Sequence, residues 1–396
     1  MSASPTILFQ SHNRRGLGHL MRAINVAREM RTLAPDARLV VHARNPSAGH
    51  FCPPDVELVI DMDGGRGWRS TVRDVEPDII VYDTLIPDAP DHEPIPSAAR
   101  VVYIMRRCSD ERHRAIQRST FLQRVDVAVV PHEREQFDQP IPAQIADRVV
   151  FVGPIVRAPT ADGTARLRRT YGLGRAGIVV VSCAGGGGFA ETAEPFFDAV
   201  WDAHRRLAPV VAGLRHIVVL GPHQRDVRTP LPGMTVVASE PDLVDLFALA
   251  DLVVSEGGYN SVNEIRLVGV PACFVPGRRS WDDQAQRVQA LEAQGLAVVV
   301  VPGATQDIGA QIARLARDAD RLAGLRDRCA ASRPKPGNRH AAQVILGPVE
   351  EVLWRSGGCN PSPGGARGLT AVPDSGEPRG HRLMGKWDSQ AENILS

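Results

Sequence analysis

Twice along this chain, short β-branched runs alternate with helix-patterned segments, and that alternation restricts the fold more than any single motif. The first series is TILFQS (6–11), ARLVVHA (37–43), VELVID (56–61), DIIVYD (78–83), RVVYIM (100–105), DVAVVP (126–131) and RVVFVG (148–153). Each run is nearly continuous in apolar character, as strands buried on both faces of a parallel sheet are. A Pro/Gly/Thr break, PIVRAPTADGT (154–164), interrupts the pattern. A second series follows: GIVVVSCAG (177–185), HIVVLG (216–221), MTVVAS (234–239), LVVSEG (252–257), ACFVPG (272–277) and AVVVVPG (297–303). Helical spacing links Leu17, Leu20, Met21, Ile24, Ala27 and Met30, and segments 191–206, 241–250, 259–268 and 282–294 are expected as helices. The fold class is therefore α/β, with two doubly wound Rossmann-like domains facing across a cleft. Residues 1–155 and 175–337 are expected as the domains and 156–174 as their linker. Residues 338–356 are expected as a closing helix, and the Gly/Pro-rich stretch 357–396 as a disordered tail. Ligands of such sheets bind at the C-terminal strand ends, so the cleft is the expected site.

Composition narrows the partners. A formal net charge of +1 argues against a globally basic nucleic-acid binder. The basic charge is almost all arginine, with Lys335 and Lys386 the only lysines, which reads first as genomic bias. Six cysteines lack metal-ligand spacing, and Cys183 and Cys273 lie in apolar runs, as small core residues do. The first residues lack the charged, apolar and cleavage regions of a signal peptide, and no apolar run approaches the ~18–20 residues of a membrane span. A cytoplasmic location is expected. The run MRRCSDERHRAIQR (105–118) offers Arg106 and Arg107 as a cationic rim for an anionic acceptor or for the inner face of a membrane.

Three glycine-bearing turns carry the candidate chemistry. GLGH (16–19) follows the first strand; Met21 stands where a dinucleotide fingerprint needs its last glycine, so that motif fails. Close backbone approach remains open to Gly16 and Gly18, and His19 is a candidate general base. CAGGGGF (183–189) lacks the GK[ST] ending of a P-loop, but Gly185, Gly186, Gly187 and Gly188 let backbone approach a ligand before a helix N-terminus. In SEGGYNSVNEI (255–265) a strand ends at Gly257 and Gly258 and a helix is expected to start near Asn260 and Ser261, both capping types. That N-terminus suits a diphosphate, and Glu264 a turn later suits ribose hydroxyls. The polar group Ser280, Trp281, Asp282, Asp283 and Gln284 then opens another helix, within reach of a sugar. Asp61 and Asp63, in DMD, are the one lure toward a divalent cation; a solvated turn is the preferred reading, and no metal is expected.

GLGHLMRA together with SEGGYNSVNEI and GVPACFVP resembles the GT-B glycosyltransferases of the family 28 type, over roughly residues 5–350. That group includes the N-acetylglucosaminyltransferase that makes lipid II. The resemblance implies that Gly16, Gly18 and His19 lie by the donor phosphate and acceptor, and that Gly185 to Gly188 face the donor. It implies a diphosphate turn at Gly257, Gly258, Asn260 and Ser261, a ribose contact at Glu264 and a donor-sugar contact at Asp283 and Gln284. Asp83 sits where plant-type relatives place an aspartate that orients the catalytic histidine. The lipid II enzyme has Gln-Gln where this chain has Asp-Gln, so the donor sugar is not inherited, and neither is the acceptor.

The implied activity is inverting, metal-independent transfer from a UDP- or dTDP-sugar, a co-substrate rather than a cofactor, to an acceptor hydroxyl. His19 would take the proton, while helix dipoles, backbone N–H groups, Arg278 and Arg279 would offset the leaving-group charge. An Arg/Ala/Gly-rich chain suggests a high-GC bacterium, and antibiotic (aminoglycoside-type) or cell-envelope glycosylation is the expected setting. Two other readings stay open: a non-hydrolysing nucleotide-sugar epimerase of the same fold, and a non-catalytic nucleotide-sugar-binding protein.

Overall fold

Every strand-like run forms a strand. The computed structural model describes residues 4–61, 67–86, 95–175, 177–186, 190–224, 228–277, 282–301 and 307–347. The first sheet comprises β1 Thr6–Ser11, β2 Arg38–Ala43, β3 Glu57–Ile60, β4 Ile79–Asp83, β5 Arg100–Ile104, β6 Val127–Val130 and β7 Val149–Phe151. The second comprises β8 Ile178–Cys183, β9 Leu214–Val219, β10 Met234–Val237, β11 Leu252–Ser255, β12 Ala272–Phe274 and β13 Val298–Val299. The strand orders are β3-β2-β1-β4-β5-β6-β7 and β10-β9-β8-β11-β12-β13. All neighbours are parallel, with Phe9 beside Val41 and Val81 in the first sheet and Val181 beside Ile217 and Val253 in the second. Both faces of each sheet are covered, which is why valine and isoleucine run almost uninterrupted through β2, β4, β8 and β11.

This topology decides which loops meet. Strand order reverses between β1 and β4 in one sheet and between β8 and β11 in the other. A crevice opens at such a switch point, beyond the C-terminal strand ends. The GLGH loop and Asp83 flank the first crevice; Gly185–Gly186 and Gly257–Gly258 flank the second. Helix Gly18–Leu33 follows β1 and buries Leu20, Ala23, Ile24, Ala27 and Met30 on its sheet, with Leu17 and Met21 partly buried against the same core.

Two segments differ from expectation. The stretch 156–174, expected as a linker, holds helix Ala161–Thr170, capped by the Thr160 hydroxyl and anchored by Leu167 in the second core. Glycine and proline marked the break correctly, but they surround the helix rather than dissolve it. The closing helix is Asn338–Leu346 with Gly347 as its C-cap, and residues 348–356 of the expected span lie outside the described residues. Its Ala341, Ala342, Val344 and Ile345 join the first core, so the chain ends its described course on the sheet where it began. The outgoing and returning strands of chain lie side by side: Gly337 N–H donates to Pro154 O (2.7 Å) and Asn338 Nδ2 to Val156 O (2.9 Å). A Cβ at Gly337 would fall 2.3 Å from Val152 O, so only glycine permits this contact. Residues 357–396, expected as a tail, lie outside the described residues. No helix among the described residues is long and apolar enough to cross a membrane.

Candidate functional site

The first lip of the cleft is shaped by Asn13, whose side-chain oxygen accepts from the N–H groups of Arg15 (3.0 Å) and Gly16 (2.9 Å). This Asx turn delivers the chain into the helix at Gly18, with His19 in the first turn. His19 is 8% exposed, and its Nδ1 lies 3.1 Å from the main-chain oxygen of Asp83 and 3.4 Å from its carboxylate. A carbonyl only accepts, so Nδ1 carries the proton and the Nε2 lone pair is left free. No described residue bonds Nε2. Asp83 shows both its oxygens to the imidazole because Thr84 turns the chain sharply with φ 60°, a strained conformation for a β-branched residue.

Asp83 is not devoted to His19, however. Arg22, one turn along the same helix, grips it with Nε on Oδ2 and Nη2 on Oδ1, both at 2.9 Å. The Thr84 hydroxyl adds a third donor at 2.7 Å. These contacts hold the Asp83 carboxyl well below its ordinary range despite full burial.

The second lip begins at Gly257, with φ +91°, where a Cβ would strike Val288 at 2.6 Å. Helix Tyr259–Val268 spans the expected segment 259–268, and its N-cap is Gly258, without side-chain cap, rather than Asn260 or Ser261. Asn260 and Ser261 therefore lie inside the first turn, and its N–H groups are left without a capping side chain, as an anion site needs. Asn260 instead reaches across the cleft, donating to Gly18 O (3.2 Å) and accepting from Arg22 Nη1 (3.3 Å). Gly186 also packs over the first lip, its missing Cβ 3.1 Å from Arg15 O. Asn45 Nδ2 ties Gly16 O (3.4 Å) to His223 Nε2 (3.0 Å). His19, Asp83, Gly16, Gly18, Gly186, Asn260 and the Gly257–Gly258 turn are thus brought to one place. Gly185 adopts φ +64° in the facing loop. Gly187, Gly188, Arg278 and Arg279 lie outside the described residues, as does Asp63; Asp61 pairs with Arg44 (3.4 Å).

The remaining expectations need correction. Arg106 and Arg107 are not a free cationic rim. Arg106 is 8% exposed and donates to Asp282 Oδ1 (2.7 Å); Arg107 pairs with Asp138 (2.8 Å) and reaches Gln286 (2.5 Å). Both join the domains, because β5 ends directly opposite helix Gln284–Ala293. Asp283 is the N-cap of that helix, accepting from Gln286 N (3.0 Å). Gln284 Oε1 accepts from Gly277 N (3.2 Å), which aims its amide nitrogen at Gly258. Asp282 receives Arg106 and both ends of Arg287, whose Nη1 also donates to Gly257 O (3.1 Å). Tyr259 stands at the centre: its hydroxyl donates to Pro131 O, and the guanidinium carbons of Arg22, Arg106 and Arg287 lie 5.3, 5.5 and 5.8 Å from its ring centroid.

One further pair of residues escaped the sequence reading. His12 and His42, at the ends of β1 and β2, are 3.1 Å apart and both stand edge-on to Trp68. Burial, with His42 and Arg44 nearby, pushes His12 down to about 3, so this ring is neutral and structural. Burial pushes the Glu264 carboxyl up to about 7, against the pull of Arg157. A carboxyl raised above its ordinary 4.5 costs stability as pH climbs from 4.5 to 7, and the whole cost persists above 7. Glu264→Gln is therefore expected to stabilise the protein at pH 8 by about 2 kcal/mol and to change little at pH 4. Urea unfolding at the two pH values measures this, and an equal effect at both contradicts it.

Residues 213–335 match the glycosyltransferase family 28 C-terminal domain. The UDP-N-acetylglucosamine–N-acetylmuramyl-(pentapeptide) pyrophosphoryl-undecaprenol N-acetylglucosamine transferase of Mycolicibacterium paratuberculosis is 32% identical over 190 residues, 46% of this chain and 45% of the relative. Its Saccharopolyspora erythraea counterpart is 31% identical over 167 residues, 41% of this chain and 43% of the relative. The chain spans less than half the length of these curated relatives. Among solved structures, the kitacinnamycin glycotransferase superposes with a TM-score of 0.57 at 18% identity, covering 87% of this chain and 98% of that one. An inferred UDP-N-acetylglucosamine 2-epimerase of Listeria monocytogenes also gives 0.57, at 13% identity, covering 87% and 95%. These structures share the fold. Residues 213–335 thus resemble the C-terminal domain of glycosyltransferase family 28, and the two sheets share the GT-B fold of the solved structures.

Proposed function

We propose that this protein transfers a sugar, with inversion, from a UDP- or dTDP-sugar to an acceptor hydroxyl. One observation carries the reading: an imidazole with a free Nε2 stands on one lip of the cleft, directly across from an uncapped helix N-terminus on the other. The diphosphate would lie at Gly257–Ser261, its charge met by first-turn N–H groups and the helix dipole. Glu264 would hold the ribose. Nε2 of His19 would take the acceptor proton as the hydroxyl attacks the anomeric carbon, and the nucleoside diphosphate would leave on the opposite side. Neither the acceptor nor any part of this scheme calls for a resident cofactor. A cytoplasmic setting, with acceptors among antibiotic or cell-envelope glycans, belongs to the same proposal.

Thermal shifts with nucleoside diphosphates and their sugars would identify the donor, since binding stabilises as RT ln(1 + [L]/Kd). That donor is then incubated with and without aminoglycoside and lipid-linked glycan acceptors. Diphosphate release that requires the acceptor is the expected result. Turnover of the donor alone would identify an epimerase, and binding without turnover a non-catalytic protein.

A further inference from the structure

We infer that Arg22 is a positioning residue, which masks the Asp83 carboxylate from His19 and so leaves the imidazole bonded to a main-chain oxygen instead. Its catalytic consequence rests on His19 being the base; its physical content does not.

The hydrogen bonds around Asp83 carry the inference. An ionised carboxylate offers about four lone-pair sites in its plane. Arg22 occupies one on each oxygen with the planar, two-pronged geometry that only a guanidinium supplies. Thr84 takes a second site on Oδ1. His19 Nδ1 is left 3.4 Å from that crowded oxygen and bonds the carbonyl at 3.1 Å. Arg22 Nη2 also stands 3.5 Å from Nδ1, a cation beside a ring that would itself become cationic. The arginine cannot drift away, because it is 2% exposed and its third nitrogen, Nη1, is held by Asn260 from the other lip. Among the described residues, the groups facing His19 are Asp83 from β4, Arg22 from its own helix and neutral His12 from the end of β1, with uncharged Asn260 of the second domain beside them on Gly18 and Arg22.

Without Arg22 the carboxylate is released toward Nδ1, and an unmasked anion favours the protonated ring. With Arg22 and Asp83 both neutralised, two opposed fields vanish together. The two outcomes separate masking from a simple Asp–His pair, in which the carboxylate acts on the ring directly.

The test is a pH titration of ring-labelled histidine by NMR, with the His19 signal assigned from His19→Gln. Arg22→Gln is expected to raise the His19 midpoint by about one pH unit, and Arg22→Lys, which keeps the charge, to return most of that shift. Arg22→Gln/Asp83→Asn removes a buried pair as a neutral unit and covers the case in which the single variant does not fold. Its midpoint is expected within about 0.3 pH unit of the wild type, given the cancelling charges. An unmoved midpoint in Arg22→Gln, or a fall of a unit or more in the double variant, overturns the inference. If transfer activity is found, the acid limb of its kcat/KM profile follows the same shifts. If no transfer is found but the NMR shifts occur, the transferase reading fails and the masking stands.

Discussion

His19→Ala is expected to lower the rate of sugar transfer by about 10²–10⁴-fold while leaving donor binding nearly intact. The separation follows from where the residue stands. Its side chain belongs to the first lip, and the uncapped helix turn that would hold the diphosphate belongs to the second. Deleting the imidazole would remove the proposed proton acceptor without touching the proposed diphosphate turn. Among the described residues no neighbour can take over: His12 is locked to His42 and held neutral down to about pH 3, and Asp83 is gripped by Arg22 and Thr84. The tautomer that exposes Nε2 is fixed by the Asp83 carbonyl, an oxygen that no substitution deletes. Orientation of the base is therefore less dependent on the aspartate side chain than in an arrangement where a carboxylate alone holds the ring. Steady-state kcat and donor KM, with a melting curve to verify the fold, measure the effect. Transfer within tenfold of wild type would remove His19 from the mechanism.

The sheets were legible because the central strands are buried on both faces, where apolar, mostly β-branched residues predominate. Placement of the turns at the two switch points then followed from strand order. The glycines at 186 and 257 could be recognised as close approaches, although the atoms they approach belong to residues far away in sequence. The cross-cleft contacts were not legible. In HLMR the arginine reads as a helix-face residue; the available signal was its i+3 spacing from His19, which places both on one face. In SWDDQ two adjacent carboxylates have opposite fates. Asp283 precedes the first helical residue and caps it, whereas Asp282 turns toward two arginines from different domains. Local pattern does not separate them, because the deciding partner, Arg106, lies 176 residues away. The same distance hid the true function of Arg106 and Arg107, whose basic neighbourhood suggested a surface.

Asp282→Ala is expected to destabilise the protein by about 3–5 kcal/mol, the largest loss from any single truncation at the domain junction. Asp282 is the only carboxylate between Arg106 and Arg287 among the described contacts, and all three side chains are largely buried. Both guanidiniums surround Tyr259, so removing the anion leaves two buried cations facing one ring and each other. Arg106 Nε already lacks a partner, which leaves that side chain little means of compensation. Ring quadrupole attraction is worth about 2 kcal/mol at best and cannot replace the ion pair. The half-exposed pair Arg107–Asp138 provides the control: Asp138→Ala should cost less than about 1 kcal/mol, because solvent screens it. Asp282→Asn keeps one acceptor and should recover part of the loss. Asp282→Ala/Arg106→Met removes one stranded cation in favour of an apolar chain of similar reach and should recover more than Asp282→Asn does. Urea unfolding resolves this order, and limited proteolysis near residues 154–160 tests whether the junction opens before either core. If Asp282→Ala and Asp138→Ala prove equally mild, the buried cluster contributes no more than a surface pair, and the closed cleft must be held instead by Tyr259, Asn260 and the crossing at Gly337.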